Sequence, residues 1–437
     1  MKRILLFSLF CFSLFLSVSA NLAAQNKIQI IHAGTLLAIP GEAPLSNQTV
    51  VINNGAIESI HSGYKTSSEL GFSGVEITDL KNKFVMPGFI DMHTHVTGER
   101  DPDANPHEWT TLNDQDLAFK SLPYLKRTLH AGFTTVRNLG ADAELIGAIQ
   151  RATAKGLITG PRIVYSGGAI SATGGHGDSH GYRVEILELD KNVGICDGAD
   201  DCRRAVRARV KQGAGVIKIT ATGGVLSNTA AGLSQQLTDE EMKSIVDAAH
   251  SLGRKVAAHA HAADGINAAL RAGVNSIDHG SYLDDESVKL FLENDAWLVP
   301  TLLAGISVRD ELAINDQIPP AIIDKINTVV PVVEASFKRA LNGGVNIAFG
   351  TDSGVSKHGE NAREFEIMVD YGMSESHAIK TATINAAKLL GMEDQLGSIE
   401  AGKIADIIAV NNNPLENISE LKNVTFVMKN GVIYKMK

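Results

Sequence analysis

The chain has 437 residues, 44% of them hydrophobic, and a mean hydropathy near zero, which describes a globular protein with ample core and sets aside a disordered or fibrous one. Forty basic against 49 acidic side chains leave a formal net charge of −9, a balance that repels nucleic acid and anionic lipid. Low aromatic content (5%) and 41 glycines suit an α/β protein with many tight turns.

Residues 1–24 stand apart. Lys2 and Arg3 precede the apolar run Ile4 to Val18, and the small residues Ser19 and Ala20 follow. That is the order of a secretory signal peptide, cleaved after Ala20 or after Ala24; a retained N-terminal anchor is the alternative. The run is short for a membrane span, and no later stretch approaches that length. Loss of Lys2 and Arg3 takes the net charge from −9 to −11. The expectation is an exported protein, periplasmic or secreted. It would keep two cysteines, in Cys196-Asp-Gly-Ala-Asp-Asp-Cys202. Outside the cytoplasm they can form a disulfide. They can also stay reduced, and with no histidine nearby they make a poor zinc site.

Lys27-Ile-Gln-Ile-Ile31 and Thr49-Val-Val-Ile-Asn53 are rich in β-formers, and Asn54-Gly55 is a hairpin turn. From residue 85 onward short apolar runs alternate with helical patterns. Strands are predicted near Gly88–Met92, Thr134–Asn138, Arg162–Tyr165, Val216–Thr220, Val256–His259, Ser276–Asp278, Trp297–Val299 and Asn346–Phe349. Helices are predicted between them, for example over Asp116–His130, Asp201–Gln212, Asp239–Leu252 and Ala321–Leu341. Thr238-Asp-Glu-Glu241 has the spacing of a capping box. Eight strand–helix pairs are the count of a closed (β/α)₈ barrel. An open doubly wound sheet would carry a phosphate-binding glycine loop after its first strand; here that strand ends in two histidines. The tail, Ile404–Val410 and Val424–Lys435, returns to β character. The predicted organisation is a signal peptide over 1–24, a barrel over 85–392, and a small β-sandwich composed of 25–84 and 393–437.

The apolar run Phe89-Ile-Asp-Met-His-Thr-His95 places His93 and His95 two residues apart. Strand side chains alternate faces, so both imidazoles project together and can share one metal ion. A single H-x-H also arises by chance among 14 histidines; what matters is where the other candidates fall. In barrel enzymes the working residues sit at the C-terminal strand ends. Lys218 lies late in the fourth predicted strand, His259 ends the fifth, His279 follows the sixth and Asp352 follows the eighth. Four imidazoles, a carboxylate and a lysine on one rim form a candidate two-metal site. Two readings stand for Lys218. Burial among Val216, Ile217 and Ile219 lowers an ammonium's pKa, and a neutral amine can take up carbon dioxide as a metal-bridging carbamate. Alternatively the side chain snorkels out of the strand end.

These residues resemble the amidohydrolase superfamily, in particular the imidazolonepropionase-related branch with metal-dependent prolidases and other dipeptidases. The matching stretches are Pro87-Gly-Phe-Ile-Asp-Met-His-Thr-His95, Gly174-Gly-His-Gly-Asp178, Ile217-Lys-Ile219 with Thr222-Gly-Gly-Val-Leu-Ser227, Ala258-His-Ala-His261, Asp278-His-Gly280, Gly350-Thr-Asp-Ser-Gly354 and Gly397-Ser-Ile-Glu-Ala-Gly-Lys-Ile-Ala-Asp406. The resemblance implies one metal on His93, His95 and Asp352, a second on His259 and His279, and a carboxylated Lys218 bridging them, with zinc as the usual occupant.

Two cations acidify a bridging water until hydroxide is available near neutral pH, and Asp352 is placed to shuttle its proton to a leaving amine. The loop Ser166–Gly181 holds six glycines and two histidines. Its predicted place above the barrel mouth, with the family match, assigns His176 to the substrate carbonyl and makes Asp178, then His180, weaker candidates for substrate contact. His261 is expected to support a neighbouring ligand or face the substrate. Arg137 and Asn138 either meet substrate or brace the rim, while His358 and Glu360 read as loop residues. The leading expectation is hydrolysis of a dipeptide, Xaa-Pro first, or a related small amide. Hydrolysis of a cyclic amide or other non-peptide C–N bond is the alternative within enzymes. A periplasmic metal or solute binder is the alternative outside them. No nucleic acid or membrane partner is expected, and association into homo-oligomers stays open.

Overall fold

The computed structural model describes residues 27–101, 108–187, 194–229 and 231–437; the segment read as a signal peptide lies outside them. Strands β1 (Ile28–Leu36), β2 (Leu45–Asn53), β3 (Ala56–Ser62) and β4 (Ile77–Pro87) open the chain. The β2–β3 turn is Asn54-Gly55, both at positive φ, the conformation a two-residue hairpin needs and glycine tolerates. Only Gly88 separates β4 from β5 (Phe89–Thr94), the first of a run of parallel strands. It continues through β6 (Phe133–Asn138), β7 (Arg162–Tyr165), β8 (Val216–Thr220), β9 (Lys255–Ala260), β10 (Ser276–His279), β11 (Trp297–Val299) and β12 (Asn346–Ile347). β13 (Ile407–Val410), β14 (Phe426–Lys429) and β15 (Val432–Met436) close it.

The two ends of the chain build one mixed sheet of order β15-β14-β13-β4-β1-β2-β3, in which β13 lies antiparallel to β4. Ile31, Leu36, Val50, Val85, Ile407 and Met428 fill its buried face. The parallel strands form sheets of order β5-β6-β7 and β12-β11-β10-β9-β8. These meet through Ile170 N–H to Lys218 O (2.8 Å) on one side and Met92 N–H to Phe349 O (2.9 Å) on the other. β12 is shorter than its apolar run predicts, because Phe349 turns out of the ladder and donates its N–H to Thr381 O (3.1 Å).

Helices α1 (Asp114–His130) and α2 (Ala143–Ala154) follow β5 and β6. After β7 come the short α3 (Val184–Leu187) and then α4 (Ala199–Lys211). α5 (Asp239–Ser251), α6 (Ala263–Ala272) and α7 (Asp285–Glu293) follow β8, β9 and β10. α8 (Leu302–Leu312) and the 23-residue α9 (Pro320–Asn342) lie between β11 and β12, and α10 (Arg363–Asp370) follows β12. The capping box read at Thr238 and Glu241 is present. Phe89, Phe133, Phe349 and Phe365, all fully buried, cluster with centroids 4.4–6.4 Å apart. They lock α10 against β5, β6 and the turn after β12. Cys196 and Cys202 are joined by a disulfide. Among the described residues no helix is long and apolar enough to cross a membrane.

Candidate active site

Among the described residues, the eight parallel strands point their C-terminal ends at one cavity of about 340 Å³, the face where such folds keep their chemistry. His93 and His95 leave β5 on the same side, ring centroids 5.3 Å apart. His279, at the end of β10, stands 5.2 Å from His93 and 4.6 Å from His259 of β9. The loop after β12 brings Asp352 to them. Its Oδ1 lies 3.0 Å from His95 Nε2 and 3.3 Å from His93 Nε2. Lys218, fourth strand of the run, is buried beside Asp278 and hydrogen-bonds to its carboxylate. The six predicted ligands thus border one cavity.

The ring nitrogens are sorted by what holds their far side. His95 Nδ1 contacts Gly140 O (3.3 Å); a carbonyl only accepts, so Nδ1 carries a proton and Nε2 is the nitrogen turned to Asp352. Hydroxyls hold three other Nδ1 atoms: Thr301 that of His279 (2.6 Å), Ser281 that of His261 (2.8 Å) and Ser227 that of His176 (2.6 Å). Glycine is required where backbone approaches these rings. A Cβ on Gly224 would meet the His176 ring at 2.1 Å, and one on Gly140 the His95 ring at 2.9 Å.

A buried carboxylate ties the strand end of His93 to the loop of Asp352. Asp91 accepts from His93 N–H (3.0 Å), Thr351 N–H (3.2 Å), the Thr351 hydroxyl (2.6 Å) and Asn361 Nδ2 (2.8 Å). Arg137 braces the floor, donating to Met92 O (2.6 Å) and Ser276 Oγ (3.1 Å) and pairing with Asp278 (3.2 Å). Of its two predicted roles, the structure supports bracing. Asn138 likewise accepts from Val96 N–H (2.7 Å). His279, Thr301 and Asp352 hold φ of 73°, 50° and 56°, left-handed conformations that cost energy in non-glycine residues and gather at functional sites.

Burial sets the protonation of the site. It drives His93, His259 and His261 well below the ordinary imidazole range, His279 to about 4 and His176 to about 3. Burial opposes charge on His95 too, but the Asp352 carboxylate outweighs it and raises that ring. For Asp352 burial works against ionisation, and His93 with His95 reverses it, holding the carboxyl well below its usual range. Burial lowers Lys218 against the pull of Asp278. At neutral pH the floor is a set of mostly neutral imidazoles around one carboxylate, the donor set divalent metals take.

Whether these residues suit metal ions is tested by their unmet bonding. His93 Nδ1 is buried with only the Asp278 carboxylate near it, at 3.6 Å, and Asp352 Oδ1 is buried with only the imidazole nitrogens of His93 and His95 against it, an arrangement of inward-facing polar atoms that is costly unless something else meets them. Ligand atoms of His93, His279 and Asp352 lie within 4.8 Å of one another, as do those of His259, His261 and His279. The two groups overlap at His279, whose Nδ1 is taken by Thr301, so its one remaining nitrogen can serve a cation in only one of them. His261, read only as a supporting or substrate-facing residue, belongs to the second group, its ring stacked 4.9 Å from His279.

His176 reaches the cavity and packs 4.1 Å from the His259 ring. Asp178 and His180 serve their own loop: Asp178 accepts from Gly174 N–H (2.7 Å), and His180 Nε2 contacts Gly175 O (2.9 Å). Neither lines the cavity. His358 contacts Gly98 O (2.8 Å) away from it, and Glu360 pairs with Arg363 (2.9 Å) at the surface. Asp91, Asp278, Ser227, Ser281 and Thr301 received no role from sequence. Asp91 and Asp278 could have been suspected, as carboxylates beside histidines inside the matched stretches; the hydroxyls carry no such signal.

A parallel α/β fold with this imidazole, lysine and carboxylate floor defines an amidohydrolase-type hydrolase. The amidohydrolase family model matches residues 84–434, and the chain belongs to that family. A solved Xaa-Pro dipeptidase with bound methionine in its active site is 40% identical, covering 94% of this chain and all of its own, with a TM-score of 0.88. A prolidase complexed with N-methylphosphonate-L-proline is 33% identical over the same shares, TM-score 0.85. Ochratoxinase from Aspergillus niger is 33% identical over 94% of this chain and 87% of its own.

Proposed function

We propose that the chain is an exported binuclear-metal amidohydrolase that cleaves the amide bond of a dipeptide, Xaa-Pro first, on a closed (β/α)₈ barrel flanked by the single mixed sheet of its two ends, where the sequence suggests a sandwich. The observation that carries this reading is the Asp352 carboxylate set against His93 and His95 in a cavity it shares with Lys218, His259 and His279. The prolidase relatives supply the substrate class. His93, His95 and Asp352 would hold one cation, His259 and His279 the other, with His261 beside them, and a carbamate on Lys218 would bridge the pair. Zinc is the proposed occupant. When bound, the cations acidify a water to near neutral pH and offset negative charge growing on the amide oxygen.

The chain's own residues do the rest. In this reading the Ser227 hydroxyl, 2.6 Å from His176 Nδ1, donates to it and leaves the ring's proton on Nε2 for the substrate carbonyl. His176 stays neutral, since burial lowers it to about 3, and polarises the carbonyl as a hydrogen-bond donor. Asp352 takes a proton from the attacking water and returns it to the amide nitrogen as the C–N bond breaks. Water is consumed and two products form, an acid and an amine.

A dipeptide library assayed with metal-loaded protein, with and without chelator, tests the reading. Turnover of Xaa-Pro dipeptides that chelator abolishes and zinc restores is expected. Loaded protein that leaves every dipeptide intact, or turnover indifferent to chelator, refutes it.

A further inference from the structure

Above the metal-facing floor the cavity changes character. Its ionisable groups are the clustered imidazoles, Lys218 and Asp352, together with the weakly acidic phenol of Tyr371; no other Asp, Glu, Lys or Arg lines it among the described residues. The opposite wall comes from the loop after β8, from the facing sides of α8 and α9, and from the loop after β12. Its side chains there are Val225, Leu226, Ile306, Val330, Val333 and Val355, each only partly buried. Behind them Val308, Ile318, Ile322 and Ile326 form a buried cluster against which Val225, Leu226, Val330 and Val355 pack. This wall is aliphatic surface facing an open space. An apolar group entering it is removed from water at no polar cost; a charged one loses its hydration and meets no counter-ion.

We propose that this wall is a specificity chamber: the enzyme selects amides that carry a bulky neutral apolar side chain and rejects those with a charged side chain in that place. The inference rests on the amide-hydrolase reading and sharpens it by naming the substrate class. The chamber makes no demand on shape beyond volume, since its lining offers no directed hydrogen bond. Preference therefore climbs with apolar size, from Gly through Ala and Val to Leu, Met and Phe, until the space is full. Selectivity against charge is set by desolvation and acts on Lys and Asp alike, unlike a site that discriminates by charge sign.

The test reads binding and turnover separately on zinc-loaded protein. Calorimetry compares N-acetyl-leucinamide with N-acetyl-lysinamide and N-acetyl-aspartamide. Kinetics compare Leu-, Met-, Gly-, Lys- and Asp-Pro, and the same side chains placed after the scissile bond of a Leu-Xaa series. Expected are binding of the leucine probe at least tenfold tighter than either charged probe, and kcat/KM about 100-fold higher for Leu or Met than for Lys or Asp in at least one series. Ile306→Glu, which puts a carboxylate on the wall, should cut the Leu preference tenfold or more and favour Lys over Asp. Val333→Glu repeats the test should Ile306→Glu fail to fold. Charged and apolar substrates cleaved within threefold in both series overturn the chamber while leaving the proposed function standing. Intact dipeptides with selective leucine-probe binding overturn the dipeptide reading and uphold the chamber. Equal binding of all three probes, with no turnover, overturns both.

Discussion

Glu364 offers a test of how the floor is held. Its carboxylate, fully buried on α10, accepts from Leu302 N–H (2.9 Å) and Leu303 N–H (2.7 Å), closing the start of α8 from outside that helix. The residue before them is the left-handed Thr301, whose hydroxyl holds His279. Burial pushes Glu364 up to about 8 from an ordinary 4.5, although both N–H groups favour its charge. The sign follows from linkage: in this interval the folded state binds a proton that the unfolded state has released, so stability falls as pH rises. The loss begins near pH 4.5, accumulates at roughly 1.4 kcal/mol per pH unit and levels off above pH 8 at about 5 kcal/mol. Glu364→Gln removes this component. Urea unfolding of both proteins from pH 5 to 8.5 isolates it as the difference between them, since other titrating groups cancel. The wild type should lose on the order of 4 kcal/mol relative to the variant across that range. A difference flat in pH refutes the reasoning.

Four further outcomes are expected. Asp352→Asn should lower kcat by about 10³-fold or more, read by initial rates on whichever Xaa-Pro dipeptide the wild type prefers. Lys218→Ala should leave the protein short of metal by elemental analysis, with partial recovery in short carboxylic acids; two metals bound normally would end the bridging role. Asp91→Ala strands four buried donors, each worth ~1–3 kcal/mol. It should lower unfolding free energy by ~3–5 kcal/mol after relaxation and speed metal loss to chelator, Asp91→Asn doing both less. Phe365→Ala, at the centre of the four-ring cluster, should cost ~3–5 kcal/mol in denaturant titration with kcat nearly unchanged.

Much of the site could be read from the sequence because strand alternation and strand ends are local signals. His93 and His95 share a face by period two, and His259, His279 and Asp352 each follow an apolar run short enough to be a strand. Lys218 betrayed itself by sitting among β-branched residues. What stayed hidden depends on contacts across long separations. Glu364 meets Leu302 over 62 residues and Asp91 meets Asn361 over 270; neither end carries a mark that names the other. Asp178 and His180 show the converse case: their sequence neighbourhood suits substrate contact, but in the structure the glycine-rich loop folds back so that Asp178 bonds Gly174 N–H and His180 Nε2 bonds Gly175 O. The aliphatic wall was invisible for another reason, since valine and isoleucine on α8 and α9 look the same whether they fill a core or face a cavity.

The junction at Gly88 has a consequence for the order of assembly. β4 runs into β5 and its histidines through that one residue, whose N–H is held by Asp406 O (2.9 Å), while β13 lies along β4. The foundation under the first parallel strand is therefore synthesised after all the other parallel strands. A nascent chain can lay down its helices and pair β5 with β6 as they emerge, but the histidine pair gains this further footing only once β13 has been made.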